Sequence, residues 1–219
     1  MKISELVIFT TKIQDQLLFY KDYLRLELVD NSANQITFKT GLSYLSFKKS
    51  EDSVQAHFAF TIPNKSIEDA RAYLLKRNVE LIESGTDFIT DFPNWKAKSL
   101  YFYDADRNIV EFIERGDIPI TQEKFHPNSI VSISEIAIPT NNIKSVHKKL
   151  DSLKPIEVYY GDFDRFCALG NPHGLFIVFD HRIKNWYPTD EKAYPADFII
   201  KGDYNFHFKG GDFIPIEKR

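Results

Sequence analysis

The sequence has few of the residues on which several classes of protein depend. Its 219 residues include one cysteine, Cys167, so no internal disulfide can form, and a buried core position is predicted for it. The formal net charge is −3, and no cationic run suggests a nucleic-acid or anionic-membrane surface. No apolar run approaches the ~18 residues of a membrane span, and we expect no signal peptide before the first strand. These absences predict a globular cytoplasmic protein without nucleic-acid or membrane partners.

Aromatic residues, by contrast, are abundant. They make up 15% of the chain, with 19 Phe and 11 Tyr. Aromatic side chains favour the pleated, half-buried surface of a sheet. We therefore expect a high content of β-strand.

The main pattern is a repeated unit. "KISELVIFTTKI", from Lys2, and "SISEIAIPTNNI", from Ser132, have the same apolar run with a carboxylate near its start, Glu5 or Glu135. A third such strand is "AHFAFTI", from Ala56. Each is followed by a helix with one apolar stripe and then by short strands, which gives the order βαβββ.

These units predict an α+β fold of tandem βαβββ modules. We expect the first two modules to pair into one cupped sheet over residues 1–115. A linker is predicted over residues 116–129, where Pro119 and Pro127 lie. The third module with a C-terminal β extension then occupies residues 130–219. We expect the extension to cover the open edge of the third module, or two chains to pair there as a homodimer.

Three stretches resemble the vicinal oxygen chelate superfamily of glyoxalases, bleomycin-resistance proteins and extradiol dioxygenases. "FYKDYLRLELV" is similar to the end of the family's first helix and the strand after it, and "AHFAFTI" to the first strand of its second unit. "WKAKSLYFYDADRNIVEF" resembles its closing pair of strands. Arg25 and Arg107 stand where the family usually has glycine.

The resemblance implies a divalent metal ion held by strand residues that face the cup. Carried over position by position, the ligands fall on Glu5, His57 and Glu111. One His and two carboxylates suit Fe²⁺, Mn²⁺, Zn²⁺ or Ni²⁺. The matching position in the third unit is Val178, so Glu135 is expected to form a salt bridge or hydrogen bond near an interface instead.

Each ligand also has a structural interpretation. Glu5 could be a solvated carboxylate at a strand end, and His57 a core histidine with both nitrogens hydrogen-bonded. Glu111 could pair with Lys98 or Arg107. The sequence leaves both sets of interpretations open.

Other residues are candidates for contact with a small-molecule ligand. Trp95, Tyr44, Phe9 and Ala59 are predicted to bind substrate, and Lys98 and Glu111 to be catalytic. Trp95 could equally be an aromatic plug at the end of a loop, and Lys98 an exposed lysine.

The function that the resemblance implies is a metal-dependent lyase, isomerase or dioxygenase acting on a substrate with vicinal oxygens. The alternative is a metal-free protein that binds or sequesters a small molecule, as bleomycin-resistance proteins do. A regulatory scaffold is a third, weaker interpretation.

Overall fold

A computed structural model describes residues 1–118 and 124–217 of the chain. The first unit begins with a strand and a short helix that continues into a π-helical turn, Phe19–Tyr23. Its regular elements are β1 (Ile3–Thr10), α1 (Ile13–Leu18), β2 (Glu27–Asn31), β3 (Gln35–Thr40) and β4 (Ser43–Lys49).

The second unit repeats this order with one additional short strand. It consists of β5 (His57–Ile62), α2 (Ile67–Leu75), β6 (Leu81–Ile82), β7 (Ile89–Phe92), β8 (Ala97–Tyr103) and β9 (Ile109–Arg115). Ile67, Ala70 and Leu74 form the buried side of α2, as the helical spacing of apolar residues predicts.

The third unit and the tail complete the chain. The third unit comprises β10 (Ser132–Thr140), α3 (Ile143–Leu153), β11 (Val158–Gly161), β12 (Phe166–Asn171) and β13 (Gly174–Asp180). The tail comprises β14 (Phe198–Gly202), β15 (Phe206–Lys209) and β16 (Asp212–Pro215). The predicted α+β fold of tandem βαβββ modules is confirmed. No helix among the described residues is long and apolar enough to cross a membrane.

The units pair differently from the expectation. One sheet has the order β16-β15-β14-β1-β4-β3-β2, and the other has the order β11-β12-β13-β10-β5-β9-β8-β6, with β7 also paired to β8. The cupped sheet of two units is therefore built from the second and third units, rather than from the first two within residues 1–115. The tail pairs with β1, so its predicted place on the third unit is also wrong, and the homodimer stays a prediction.

The burial of the opening strands reflects this arrangement. Every residue of β5 is buried, and so are all but the end residues of β10. In β1, by contrast, Glu5 and Phe9 keep some exposure. The apolar strand β14 covers the edge of β1 through antiparallel pairing from Ile3 to Ile8. The edge of β5 is then completed by β10, with Phe58 opposite Ile136.

The main core lies between the two sheets and the helices. Leu6 of β1, Phe58 of β5, Ile136 of β10 and Phe198 of β14 belong to one buried cluster. The opposite face of the nine-stranded sheet carries a separate cluster that includes Tyr101. That face is concave and holds the site described next. Of the predicted linker, residues 119–123 lie outside the described residues, and Pro127–Ser129 form a 3₁₀ turn.

Candidate metal centre and cavity

Three neighbouring strands bring a histidine and two glutamates together on the concave face of the nine-stranded sheet. Ala59 of β5 is paired with Glu111 of β9 on one side and with Glu135 of β10 on the other. His57 lies two residues before Ala59, and alternation along the strand puts both on the same face. The methyl side chain of Ala59 leaves room for the carboxylates to converge above it.

The geometry of this group suits a metal ion. One ligand atom from each of His57, Glu111 and Glu135 lies within 4.8 Å of the others, and all three residues are buried. The His57 Nε2 and a Glu111 carboxylate oxygen are 3.3 Å apart. The His57 Nδ1 is 3.0 Å from the carbonyl oxygen of Ile109. A proton on Nδ1 would donate to that carbonyl, which leaves the Nε2 lone pair for a metal ion.

Two carboxylates in so small a volume repel each other, and a buried arginine offsets part of that repulsion. Burial, together with the charge of Glu111, raises the pKa of Glu135 above its ordinary value, and Arg115 opposes this shift. The Arg115 guanidinium donates a hydrogen bond to Glu135, and its side chain is 1% exposed. With a neutral His57 and both glutamates ionised, the three ligands and Arg115 together carry a formal charge of −1. The donor set and its charge therefore both fit a divalent cation.

Tyr101 adds a hydroxyl to this face. Burial and the negative charges of Glu111 and Glu135 raise the pKa of Tyr101 well above its ordinary value. The phenol therefore keeps its proton at neutral pH and can donate a hydrogen bond. Its ring lies 6.2 Å from the ring of His57.

A cavity of about 580 Å³ opens above the three ligands. Its lining includes His57, Glu111, Glu135 and Tyr101. One wall comes from the end of β7 and the turn after it, residues Asp91–Trp95. The Trp95 ring meets the ring of Tyr159 at 5.4 Å.

Residues 181–197, which we name the cover segment, connect β13 to the tail, and four of them line the cavity. Trp186 of this segment is 4% exposed, and its ring lies 6.1 Å from His57 and 5.3 Å from Phe179. The hydroxyl of Tyr187 is hydrogen-bonded to Ser84. The cover segment therefore places the aromatic side chains of Trp186 and Tyr187 in the cavity wall near His57.

Glu5, predicted as a ligand, is not part of this group. Its carboxylate accepts hydrogen bonds from Lys201 at 2.7 Å and from Ser46 at 3.0 Å, on the seven-stranded sheet. Two predicted substrate-binding residues lie on that sheet as well. Tyr44 is paired with Glu5 and is 43% exposed, and Phe9 stacks on His207. Glu5, Tyr44 and Phe9 therefore lie outside the group of His57, Glu111 and Glu135, because β1 pairs with β14 instead of β5.

The other predicted residues divide between the cavity and its surroundings. Trp95 lines the cavity. Ala59 is fully buried below the ligands, where it contacts a cluster containing Ala97 and Ile113. Lys98 is exposed and alternates with the concave-face residues Ala97 and Ser99, so it points away from the cavity. A catalytic role for Lys98 is therefore not supported, whereas Glu111 does lie in the group.

Sequence reasoning missed Glu135, Arg115 and Trp186 as residues of the site. The signal for Glu135 was its match to Glu5 in the repeated strand, but the sequence does not say which of the two strands adjoins β5. The register also places the third-unit match of Glu111 one residue before the predicted Val178. Glu111 pairs with Ala59, and Ile177 pairs with Ala137 in the same relation. Ile177, which lines the cavity, is therefore the third-unit residue that matches Glu111.

Comparison with known proteins supports the fold. No protein-family model matches the chain, and no curated protein sequence matches it. A Bacillus subtilis structure, named for a proposed dioxygenase activity, superimposes with a TM-score of 0.63 at 16% identity, over 82% of this chain and 63% of that one. The chain thus spans less than two thirds of that protein's length.

Smaller structures match about half of the chain. A lactoylglutathione lyase from Agrobacterium tumefaciens is 21% identical with a TM-score of 0.45, over 51% of this chain and 92% of its own. A glyoxalase/bleomycin resistance protein/dioxygenase from Nocardioides is 17% identical with a TM-score of 0.43, over 56% and 89%. The Bacillus match therefore supports the fold of tandem βαβββ units, and at 16% identity it shows the fold alone.

Proposed function

We propose that the chain is a divalent-metal-dependent enzyme of the lyase, isomerase or dioxygenase type. Its substrate would be a small molecule with two vicinal oxygens. The observation that carries this proposal is the convergence of His57, Glu111 and Glu135 within 4.8 Å at the bottom of a cavity. Fold alone does not establish an activity, so the proposal rests on this arrangement of side chains.

The residues have separate roles in this proposal. His57, Glu111 and Glu135 would hold Fe²⁺, Mn²⁺, Zn²⁺ or Ni²⁺, and two carboxylates favour ions that prefer oxygen ligands. The bound ion would act as a Lewis acid towards the substrate oxygens. Arg115 keeps Glu135 in place, and Tyr101 would donate a hydrogen bond to the substrate. Trp95 and Trp186 exclude water from above.

Metal analysis of protein purified without chelator tests the proposal. We expect about one equivalent of a transition metal in the wild type and a large loss in His57→Ala and in Glu135→Gln. Glu5→Gln and the exposed-residue variant His173→Ala are matched controls and should keep the metal. Equal metal content in His57→Ala and the wild type would contradict the proposal, and loss of metal in Glu5→Gln would contradict the ligand set.

One observation favours the second candidate, a metal-free small-molecule binder. Arg115 already supplies a positive charge to Glu135, so part of the need for a cation is met within the chain. Under this alternative the wild type would contain no metal after purification. Addition of Mn²⁺ or Zn²⁺ would then leave its unfolding temperature unchanged, whereas a specific site would raise it.

A further inference from the structure

The outer face of the seven-stranded sheet has no part in the proposed function. Leu6 and Ile8 of β1 belong to the main core, so alternation along the strand turns Glu5 to the opposite, outer face. Tyr44 of β4 and Ile214 of β16 lie on this outer face as well, and they are 43% and 47% exposed. The described part of the chain therefore leaves the face open near its centre and at one edge.

Five side chains form a row across this face, one from each of the strands β14, β1, β4, β3 and β2. The strand register places them side by side in the order Lys201, Glu5, Tyr44, Lys39 and Glu27. Each of the five directly adjoins a core residue along the chain, so all five point outward. The row therefore has the charge order positive, negative, tyrosine, positive, negative, on strands about 4.8 Å apart.

The two halves of the row differ in exposure. Lys201 and Glu5 form an ion pair at 2.7 Å, with side chains 49% and 20% exposed. Lys39 and Glu27 are both exposed. All four charges are thus at the surface, where another molecule can reach them.

The charge order of the row is complementary to itself. If a second copy is turned by 180° about an axis that runs along β4 through Tyr44, each position faces the position equally far on the other side of Tyr44. Lys201 then faces Glu27 of the second copy, and Glu5 faces Lys39 of the second copy. The reverse contacts form at the same time, which is the reciprocal relation that a two-fold interface requires. Four opposite-charge contacts result, with the two Tyr44 side chains between them.

The face also has the dimensions for such an interface. Two sheets that pack face to face lie about 10 Å apart with their strands within about 30° of each other. Lysine and glutamate side chains from both sides can meet across that gap. The five strands have five to eight residues each and cover on the order of 500 Å² on each copy. The two faces together reach about 1,000 Å², the lower limit for a specific interface.

One position in the same arrangement opposes association. Lys48 lies four residues beyond Tyr44 on β4, on the same face, so it also lies on the axis and faces its own copy. Because Lys48 is exposed near the end of the strand, its ammonium can extend into solvent. The small area and this like-charge contact together lead us to expect a weak, reversible dimer.

We propose that two copies of the chain associate face to face through their seven-stranded sheets, with Tyr44 on the two-fold axis. The partner that fits this face is a second copy, because the row of charges matches its own inverted order. The metal ligands and the cavity belong to the other sheet, so this inference does not depend on the proposed function.

Two charge swaps test the proposal. Glu27→Lys/Lys39→Glu reverses one half of the row, and Glu5→Lys/Lys201→Glu reverses the other half. Each swap keeps the formal net charge of −3 and keeps opposite charges side by side within the chain. Each variant alone should associate at least about tenfold more weakly than the wild type, because like charges then face each other at all four contacts.

A mixture of the two variants provides the decisive measurement. In a heterodimer of the two swapped chains all four contacts are again between opposite charges, so we expect an equimolar mixture to associate as tightly as the wild type. Sedimentation velocity over about 1 to 200 µM protein measures the dissociation constants. A wild type that stays monomeric over this range would overturn the proposal.

The matched control is Glu68→Arg/Arg71→Glu, which swaps an exposed ion pair of α2 outside the face and should associate like the wild type. Circular dichroism checks that each variant folds. If the swap at Glu5 and Lys201 prevents folding, the swap of the exposed Glu27 and Lys39 decides alone. Wild-type association of Glu27→Lys/Lys39→Glu would show that this row is not the interface.

A cross-link locates the axis independently of the charges. The single cysteine, Cys167, is buried, so Tyr44→Cys supplies an exposed thiol. A short bifunctional maleimide should join two Tyr44→Cys chains across the axis. His173→Cys, in the exposed turn before β13, should give little cross-linked dimer. Equal cross-linking at the two positions would contradict the face-to-face arrangement.

Discussion

Arg115 and Glu135 form the most deeply buried ion pair of the described residues, with side chains 1% and 4% exposed. The Nε and Nη1 atoms of Arg115 are buried and have no hydrogen-bond partner within residues 1–118 and 124–217. Its guanidinium carbon lies 5.4 Å from the centre of the Trp95 ring. Such a pair costs desolvation energy, and removal of one partner leaves a buried charge uncompensated. The contribution of Arg115 is therefore to balance Glu135 beside Glu111.

The first prediction concerns this pair. In EDTA, Arg115→Met should lower the free energy of unfolding by about 3–5 kcal/mol, because Glu135 is left beside Glu111 without a cation. The double variant Arg115→Met/Glu135→Gln should lose less than the sum of the single variants, with a coupling of about 1–3 kcal/mol. Urea denaturation measures all four proteins.

Arg71→Met is the control, since Arg71 pairs with Glu68 and Asp87 at the surface. Surface pairs contribute little, so its effect should stay below about 1 kcal/mol. Strict additivity of the Arg115 and Glu135 substitutions would show that the two side chains do not interact in solution.

The sequence predicts the ligands that come from one unit better than the ligand that comes from a neighbouring unit. His57 and Glu111 come from one unit, where β5 and β9 are parallel neighbours, and both lie in the ligand group. The third ligand depends on which strand adjoins β5. Glu5 and Glu135 occupy equivalent places in two stretches of similar pattern, so local pattern does not distinguish them.

Among the elements, the turn between β3 and β4 contacts the chain just before β10. Gly41 has φ +64°, and a Cβ there would lie 2.2 Å from the carbonyl oxygens of Ile130 and Val131. The N–H of Leu42 donates to the Val131 carbonyl at 2.8 Å. This turn therefore connects the seven-stranded sheet, by packing and one hydrogen bond, to the residues just before β10, the strand that carries Glu135.

The second prediction compares two glycines with left-handed backbone. Gly41→Ala should cost about 2–4 kcal/mol of stability, because the left-handed φ and the backbone clash both oppose a side chain. Gly210 has φ +56° with open space around it, so Gly210→Ala should cost only the backbone term, about 1 kcal/mol. Thermal and urea unfolding provide the measurement. Equal costs would mean that the contact of Gly41 with Ile130 and Val131 does not persist in solution.

Element order was predictable because each helix has an apolar stripe and each strand is bounded by turn residues. The cover segment was not, since residues 181–197 have no regular period that indicates where they lie. Its position follows from tertiary contacts such as that of Trp186 with Phe179. Strand pairing between units could not be predicted from the sequence either. Hydrogen bonds across a sheet edge use backbone groups that every strand possesses.

For the whole molecule, the first unit is joined to the second by a buried polar contact. Asp104, in the turn before β9, is 5% exposed. Its carboxylate accepts hydrogen bonds from Gln16 at 2.9 Å and from the Tyr20 hydroxyl at 3.1 Å, both in the helical segment of the first unit. Asn108 donates to it from within the turn. This one side chain thus orders its own turn and holds the first helix against it.

The last prediction tests that junction. Asp104→Ala should lower stability by about 3–5 kcal/mol, because the buried donors of Gln16, Tyr20 and Asn108 lose their acceptor. The matched control is Asn171→Ala in the corresponding turn of the third unit, where the exposed side chain accepts a hydrogen bond from the backbone N–H of His173. That control should change stability by no more than about 1 kcal/mol.

Tyr20→Phe separates the junction from the turn itself. Tyr20 is fully buried, so loss of its hydroxyl should cost about 1 kcal/mol in the wild type. In an Asp104→Ala background the same substitution should cost almost nothing, because the hydroxyl has already lost its acceptor. An equal cost in both backgrounds would place the whole effect of Asp104 inside its own turn, and Asp104 would then contribute nothing to the junction between the first and second units.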